Sequence, residues 1–407
     1  MEKNTQEIYV DHAATTYVRE EVKTAMNKYH SEEFGNPGSF HTLGLKAKEA
    51  VSSARNKVRQ LINANNPEEI IFTGSGTESI NLTIQGIARA NKNQGKHIIT
   101  SKIEHEAVLE TCKYLEKYEG FEITYLNVDK YGRVCPEELK KAIRKDTLLI
   151  TIMYANNEIG TIQPIKELVK VVKDFSQEQK RNILFHTDAC QAGGVLDIDT
   201  KNLGVDLMTL NSSKIYGPKG VGMLYVKSGT KIHPLIHGGG QENKLRSGTE
   251  NVPGIVGFAK ALELAQAEKE EENKRLTALR NKLIKKIQEN IPKTFLNGHP
   301  TERLPNNANL TFLDVEGESM MLYLNEYGIC TSTGSACTSY SLDPSHVILA
   351  LGLPYEAAHG TLRFTLGKRT TEEDINKIIT VLPGIVESLR RISPVNLTVE
   401  EVLKNGR

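Results

Sequence analysis

Asp188 and Lys214 each stand at the end of a short apolar run that is typical of a buried strand. The carboxyl ends of parallel strands face the ligand crevice of an open α/β sheet, so both side chains would meet there. An aspartate at that edge can pair with a protonated ring nitrogen, and a lysine with a lowered pKa can form a Schiff base with a carbonyl group. Taken singly, Asp188 could also be a helix N-cap, and Lys214 a solvated surface lysine.

A glycine-rich run, Phe72-Thr73-Gly74-Ser75-Gly76-Thr77-Glu78-Ser79, follows one predicted strand and opens a predicted helix. Glycines let the backbone come close to a ligand, and a helix N-terminus offers free N–H groups to a phosphate. The run matches neither a Walker loop nor a dinucleotide fingerprint, and on its own an ordinary capped turn fits it equally well. Together with a strand-end aspartate and a later strand-end lysine, it predicts a site for pyridoxal 5'-phosphate (PLP).

Cys337 lies in a run of small polar residues, 330–341, that is typical of a loop. A cysteine on an exposed loop is a candidate nucleophile if its surroundings favour the thiolate. An incidental surface cysteine would have the same appearance.

Three further residues belong to the same prediction. His105 heads the helix that follows a predicted strand at 96–100, and therefore lies near the crevice. Arg363, in a predicted strand of a second domain, can clamp a carboxylate with two hydrogen bonds. The Thr249 hydroxyl can donate a further hydrogen bond to the phosphate.

His233 and His237 lack further ligands at metal-binding spacing, so no metal site is predicted.

The elements that would position these residues alternate along the first part of the chain. Apolar strand-like runs and amphipathic helical stretches follow one another, which is typical of a mainly parallel sheet flanked by helices. After residue 257 the pattern changes to a long charge-rich helical stretch, 258–290, and then to mixed short elements. We therefore predict an α/β protein with a large PLP-binding domain, 16–257, and a smaller α+β domain, 1–15 with 258–407, whose loop at about 328–341 carries the cysteine.

Composition limits the kinds of protein that the chain can be. A net charge of +1 shows no broad basic surface for nucleic acid, and no apolar run is long enough for a membrane helix. The five cysteines are few, odd in number and scattered, which favours a reducing compartment over a disulfide framework. We expect a cytoplasmic protein.

The chain resembles the cysteine desulfurases of the NifS/IscS type, in the class V aminotransferase group of fold-type I PLP enzymes. The resemblance extends nearly end to end, and its most specific element is the run Gly334-Ser335-Ala336-Cys337-Thr338-Ser339. The other matching runs are 9–16, 34–39, 104–105, 156–160, 214–220, 246–249, 344–346 and 363–364. This family implies a fold with a seven-stranded, mainly parallel sheet.

The resemblance also implies roles for individual residues. Lys214 would hold the cofactor and then move the Cα proton, His105 would stack on the ring, and Cys337 would attack the sulfur of the substrate cysteine. Asp188 would pair with the ring nitrogen and Gln191 with the ring hydroxyl. The remaining cofactor contacts would come from Gly76, Thr77, Asn156, Asn211 and Ser213, with Thr249 supplied by the second subunit of a homodimer. The substrate carboxylate would be bound by Asn36, Asn156 and Arg363.

The implied activity is a transferase reaction that converts L-cysteine to L-alanine. Sulfur would pass as a persulfide on Cys337 to a protein acceptor such as an iron–sulfur cluster scaffold. One stretch departs from the family pattern of Ser-Gly/Ala-His-Lys, because Asn211-Ser212-Ser213 precedes Lys214. Ser213 can still donate one hydrogen bond to the phosphate, but it cannot make the charge-assisted contact of the missing histidine. The loss of that contact would weaken cofactor binding by roughly 1 kcal/mol.

Two alternatives remain open from the sequence. An aminotransferase or lyase of the same group would share the cofactor site without needing a cysteine. A sulfur-trafficking or scaffold protein could have kept the fold without catalysis, and only the altered stretch before Lys214 supports it.

Overall fold

The computed structural model describes residues 7–334 and 343–405. The strands in this part of the chain are β1 (Ile8–Tyr9), β2 (Ile70–Thr73), β3 (His97–Ser101), β4 (Glu122–Leu126), β5 (Thr147–Thr151), β6 (Leu184–Asp188), β7 (Leu207–Asn211), β8 (Gly222–Val226), β9 (Thr294–Leu296), β10 (Asn307–Phe312), β11 (Ile329–Cys330) and β12 (Thr361–Thr365). The helices are α1 (Glu20–Ser31), α2 (Thr42–Leu61), α3 (Gly76–Asn91), α4 (Glu106–Glu119), α5 (Pro136–Ala142), α6 (Ile165–Gln179), α7 (Thr200–Leu203), α8 (Val252–Ala267), α9 (Lys269–Asn290), α10 (Gly317–Glu326), α11 (His346–Ala350), α12 (Tyr355–Ala358), α13 (Glu372–Ile392) and α14 (Val399–Asn405).

The main sheet has seven strands in the order β2-β8-β7-β6-β5-β3-β4. Strand β8 is antiparallel to both of its neighbours, and the other pairings are parallel. The mainly parallel seven-stranded sheet predicted for the α/β fold is therefore confirmed.

Helices cover both faces of this sheet, which explains why its central strands are apolar along their whole length. On one face, strand residues such as Ile70 and Phe72 pack in a core with α1, α2, α6 and α8. On the other face, their neighbour Ile71 packs in a second core with α3 and α4. Successive strand side chains point to opposite faces, so each strand supplies both cores.

A smaller antiparallel sheet, β12-β10-β9, has a core of its own with α9, α10 and α13. Ile8 and Val10 from the first residues of the chain pack in this core, and β1 pairs in parallel with β11. The domain division at residue 257 stays a prediction, because α8 runs across it and packs on the main sheet as far as Ala265.

The charge-rich stretch 258–290 is not one continuous helix. Helix α8 ends at Ala267 and α9 begins at Lys269, with Glu268 between them. The Glu268 carboxylate at this break forms ion pairs with Arg19 (2.7 Å) and with Lys368. Among the described residues, no helix combines the length and apolar character needed to cross a bilayer.

Candidate active site

A cavity of about 200 Å³ opens at the carboxyl ends of the central parallel strands. Strand β6 ends at Asp188, and the turn after β7 carries Lys214, so neighbouring strands deliver both side chains to one edge of the sheet. Eight of the residues predicted from the sequence line the cavity: Gly76, Thr77, His105, Asp188, Gln191, Asn211, Lys214 and Arg363.

The N-terminus of α3 forms one end of the cavity. Ser75 caps this helix, since its hydroxyl oxygen accepts the N–H of Glu78 at 3.1 Å. At Gly76 a side chain has no room, because a Cβ atom there would lie 2.8 Å from Cys190 Sγ. The backbone N–H groups of Gly76 and Thr77 belong to the first turn, where helices leave them without internal partners. This end of the cavity therefore fits a phosphate group.

Two titratable side chains near Asp188 carry little charge at neutral pH. His186, two residues earlier on β6, is fully buried between the hydroxyls of Thr151 and Thr209, and burial lowers its pKa to about 4. Burial, and to a lesser extent the nearby Asp188 charge, raise the pKa of Glu104 to about 8. Both neighbours are thus largely uncharged at neutral pH, and the Asp188 carboxylate is suited to a protonated ring nitrogen.

The Lys214 ammonium group lies in the cavity and donates to two backbone carbonyls. These are the oxygens of Ala13, at 2.7 Å, and of Ala14. Both alanines also line the cavity. The turn that carries the lysine is held from the same side, because the Thr16 N–H and hydroxyl both donate to the Ser213 carbonyl at 2.9 Å. The amine is therefore placed where a carbonyl group of a bound cofactor can reach it.

His105 is the N-cap of α4, and its ring lines the cavity. Nδ1 accepts the N–H of Ala107 at 3.0 Å, so the neutral ring carries its proton on Nε2. The ring thus lines the cavity, and its stacking on a planar cofactor stays a prediction.

Arg363 brings a buried positive charge from β12 to the cavity wall. Its side chain is 1% exposed; Nη2 pairs with Asp11 Oδ1 at 2.7 Å, and Nη1 donates to the Asn157 carbonyl at 3.1 Å. Nε has no acceptor within the part of the chain that the structure describes. A buried donor of this kind gains most from a charged acceptor, so the site fits the carboxylate of an amino acid.

Four of the predicted residues that the structure describes do not line the cavity: Asn36, Asn156, Ser213 and Thr249. Asn156 is buried, and its amide bonds the Ile103 carbonyl and the backbone N–H groups of Glu158 and Ile159. Ser213 contacts the side chain of Asn211, at 3.4 Å. Cys337 lies outside the described residues. The roles of these five residues, and those assigned to the eight that line the cavity, stay predictions.

Asn36 and Thr249 are both exposed at the surface. Asn36 Oδ1 accepts the Gly38 N–H at 2.8 Å within its own turn. The run that contains Thr249 is held near the phosphate end of the cavity by Arg246, whose Nε pairs with Glu78 Oε1 at 2.9 Å. Neither side chain contributes to the cavity of its own chain.

Two further lining residues, which the sequence did not single out, carry an amide or a thiol group. Asn157 lines the cavity beside Arg363. Cys190 lies between the predicted residues Asp188 and Gln191, and its position in that run was the available signal. Burial and the Asp188 charge raise the pKa of the Cys190 thiol well above its usual range, so it stays protonated.

These groups form a donor set that fits PLP. A helix N-terminus can take the phosphate, a carboxylate the ring nitrogen, an amine the carbonyl carbon and an arginine the substrate carboxylate. In residues 7–334 and 343–405, no cluster of three or more His, Cys, Asp or Glu side chains could hold a metal ion.

Comparison with known proteins gives a consistent picture. A family model described as aminotransferase class-V matches residues 8–378. A relative from Dictyoglomus turgidum, named cysteine desulfurase IscS, is 54% identical over 389 residues, which cover 96% of this chain and 97% of the relative.

Two solved structures share the fold over almost their whole length. A NifS-like protein is 39% identical with a TM-score of 0.88, over 94% of this chain and 100% of that one. A structure described as SspA in complex with cysteine is 37% identical with a TM-score of 0.77, over 89% of this chain and 99% of that one. This chain belongs to the PLP-dependent class-V aminotransferase family, and within it to the cysteine desulfurases of the NifS and IscS type.

Proposed function

We propose that the protein is a PLP-dependent cysteine desulfurase that converts L-cysteine to L-alanine and carries the sulfur as a persulfide on Cys337. The observation that carries this proposal is the cavity itself. It brings a strand-end lysine, a strand-end aspartate and a buried arginine with an unpartnered donor to one helix N-terminus. The desulfurase names of the relatives and the bound cysteine of a structural neighbour support the same activity.

We assign the cofactor contacts as follows. The phosphate would be held by the N-terminus of α3 with Asn211 and Ser213, the ring nitrogen by Asp188, the ring hydroxyl by Gln191 and the ring face by His105. When bound, PLP draws electron density from the Cα of an attached amino acid, which makes the Cα proton acidic.

The side chains of this protein then act in order. Arg363 binds the substrate carboxylate and so fixes the direction of the Cα–H bond. Lys214, released from the carbonyls of Ala13 and Ala14, takes the Cα proton and later returns one to the product. The Cys337 thiolate attacks the sulfur of the substrate, so that an S–S bond forms while the Cβ–S bond breaks. The electron pair of the broken bond stays with Cβ, which takes up a proton to give alanine.

A homodimer is part of this proposal. Thr249 is exposed and does not line the cavity of its own chain, as expected if it completes the phosphate site of a second copy. Apolar side chains near Asn36 are also strongly exposed, among them Phe34 and Phe40, the latter by 92%. A second subunit packed on this segment would bury them.

The proposed acceptor of the sulfur is a protein such as an iron–sulfur cluster scaffold. The relatives named IscS support this choice, and the net charge of +1 offers no broad field for direct binding of nucleic acid. We place the reaction in the cytoplasm, because the five scattered cysteines are suited to a reducing compartment.

Mass spectrometry of the holoenzyme after incubation with L-cysteine tests the proposal. We expect one added sulfur atom on Cys337 and an equal amount of L-alanine. Cys337→Ser should keep the visible absorbance of bound PLP and form no persulfide. A keto acid as product, with turnover insensitive to thiol alkylation, would instead identify an aminotransferase.

A further inference from the structure

The chain enters residues 335–342 from Gly334, and the backbone just before this point is bonded to Arg363. The Arg363 N–H donates to the Ser332 carbonyl at 2.7 Å, and the Ser332 N–H donates back at 3.3 Å. The Thr331 hydroxyl also donates to the Arg363 carbonyl. One flank of the segment is therefore fixed to the strand whose guanidinium lines the cavity.

The other flank, which begins at Asp343, is bonded to one neighbour of His105 and lies close to the other. His346 Nε2 lies 3.0 Å from the carbonyl oxygen of Glu104, and a carbonyl only accepts, so Nε2 carries a proton. His346 Nδ1 lies 3.5 Å from Glu106 Oε1. One flank of residues 335–342 is thus attached to Arg363, and the other lies against the neighbours of His105.

Glu158 connects the two flanks to each other. Its side chain is buried, with 2% exposed, and Oε2 accepts the hydroxyl of Ser345. Gly334 packs on the same carboxylate, since a Cβ atom there would lie 3.1 Å from Glu158 Oε2 and 3.7 Å from Ser345 Cβ.

The backbone of Glu158 is itself immobilised on both sides. Its N–H donates to Asn156 Oδ1 at 2.8 Å, and its carbonyl accepts the amides of Asn307 (3.0 Å) and Asn309 (3.1 Å). Neither Glu158 nor Ser345 lines the cavity, so neither is placed to touch the substrate.

We propose that Glu158 and Ser345 are positioning residues for sulfur transfer. They fix Gly334 and Ser345, which lie on either side of the sequence run that carries Cys337. Three residues lead from Gly334 to Cys337, and an extended chain spans at most about 3.6 Å per residue. Covalent geometry therefore keeps the Cys337 Cα within about 11 Å of the Gly334 Cα, so a displacement of Gly334 shifts the range that the thiol can reach.

The proposal rests on the desulfurase function and separates two reactions of the same cavity. Exchange of the Cα proton of L-alanine with D2O needs PLP, Lys214 and Arg363 but no thiol. Persulfide formation needs Cys337 as well. Loss of the contacts of Glu158 with Ser345 and Gly334 should slow persulfide formation on the order of 10- to 100-fold, which is the effect of a misplacement of about 1 Å. Exchange of the Cα proton should stay within about twofold of the wild-type rate.

The experiment compares both rates in the holoenzyme for three substitutions. Ser345→Ala removes the hydroxyl, Ser345→Thr restores one, and Gly334→Ala forces a methyl group against Glu158. Ser345 also caps α11 by accepting the Val347 N–H at 3.1 Å. Gly334→Ala leaves that cap intact, and so it remains informative if Ser345→Ala folds poorly.

Glu69→Gln is the matched control, because Glu69 is another buried carboxylate that accepts a serine hydroxyl, from Ser228 at 2.8 Å. It should leave both rates unchanged. Equal losses of both rates in Ser345→Ala and Gly334→Ala, or no loss in either, would overturn the positioning role. Absence of persulfide on wild-type Cys337 would refute the desulfurase function first, and the inference with it.

Discussion

Replacing Gly76 with alanine should weaken PLP binding, because the N-terminus of α3 touches the opposite wall of the cavity. A methyl group at this position would lie 2.8 Å from Cys190 Sγ and 3.4 Å from Asn211 Cβ. Overfilling a packed site costs about 1–3 kcal/mol. If the strain is relieved by a displacement of the phosphate-binding end of the cavity, the apparent Kd for PLP rises about 5- to 150-fold.

The geometry also determines how the strain can be relieved. Cys190 lines the cavity, so its thiol can yield only into the space for PLP or by a shift of α3. Alanine is a better helix former than glycine by about 1 kcal/mol, which acts in the opposite direction on folding. We therefore expect a larger loss in cofactor affinity than in the free energy of unfolding of the apoprotein.

A double-mutant cycle isolates the contact. Cys190→Ala removes the sulfur atom, so Gly76→Ala/Cys190→Ala should bind PLP more tightly than Gly76→Ala alone, with a coupling of about 1 kcal/mol or more. Gly384→Ala on α13 is the control, because a Cβ atom there meets open space. It should raise stability by up to about 1 kcal/mol and leave PLP affinity unchanged.

Spectroscopic titration of the apoproteins with PLP measures the four affinities. An unchanged Kd in Gly76→Ala would refute the close approach of helix and thiol. Failure of Cys190→Ala to restore binding would show that another group is responsible.

Three further outcomes follow from the same geometry. Arg363→Lys should raise the KM for L-cysteine about 10- to 150-fold, since a charged hydrogen bond is worth about 1.5–3 kcal/mol; a KM within twofold of wild type would contradict carboxylate binding. Glu104 has a pKa of about 8 in the folded protein against an ordinary value of 4.5, with burial as the main cause. Its contribution to stability is therefore fully present below about pH 4.5 and is lost as the pH rises towards 8. Urea unfolding between pH 5 and 8 should show this decline in the wild type but not in Glu104→Gln, and equal slopes would exclude it. Lys214→Ala should bind PLP without a link that borohydride can fix to the chain, and trapping of the cofactor on another lysine would contradict its role.

The fold and the centre of the site are readable from the sequence because both depend on short-range patterns. Strands buried on two faces are continuous apolar runs, so the ends of β6 and β7 are visible without a structure. Parallel strands bring their carboxyl ends to one edge, which places Asp188 beside Lys214. The cap residue Ser75 and Gly76 likewise reveal the start of α3.

The remaining features depend on packing that no local pattern records. Which of Asn156 and Asn157 lines the cavity is decided by a turn whose N–H groups capture the Asn156 amide. The break between α8 and α9 coincides with the pairing of Glu268 to Arg19, a residue that lies 249 positions away. The place of Cys190 follows from its contact with Gly76, across two elements.

The contacts of the first sixteen residues have a consequence for synthesis on the ribosome. Ala13 accepts from Lys214 across 201 positions, and Asp11 pairs with Arg363 across 352. Strand β1 also pairs with β11, which is synthesised much later. Residues 8–16 thus lack part of their native contacts until Arg363 has been made. Contacts of such high sequence separation form slowly, because a long loop must close first. A nascent chain can therefore build the parallel sheet early, yet the cofactor cavity is complete only after Arg363 has been made.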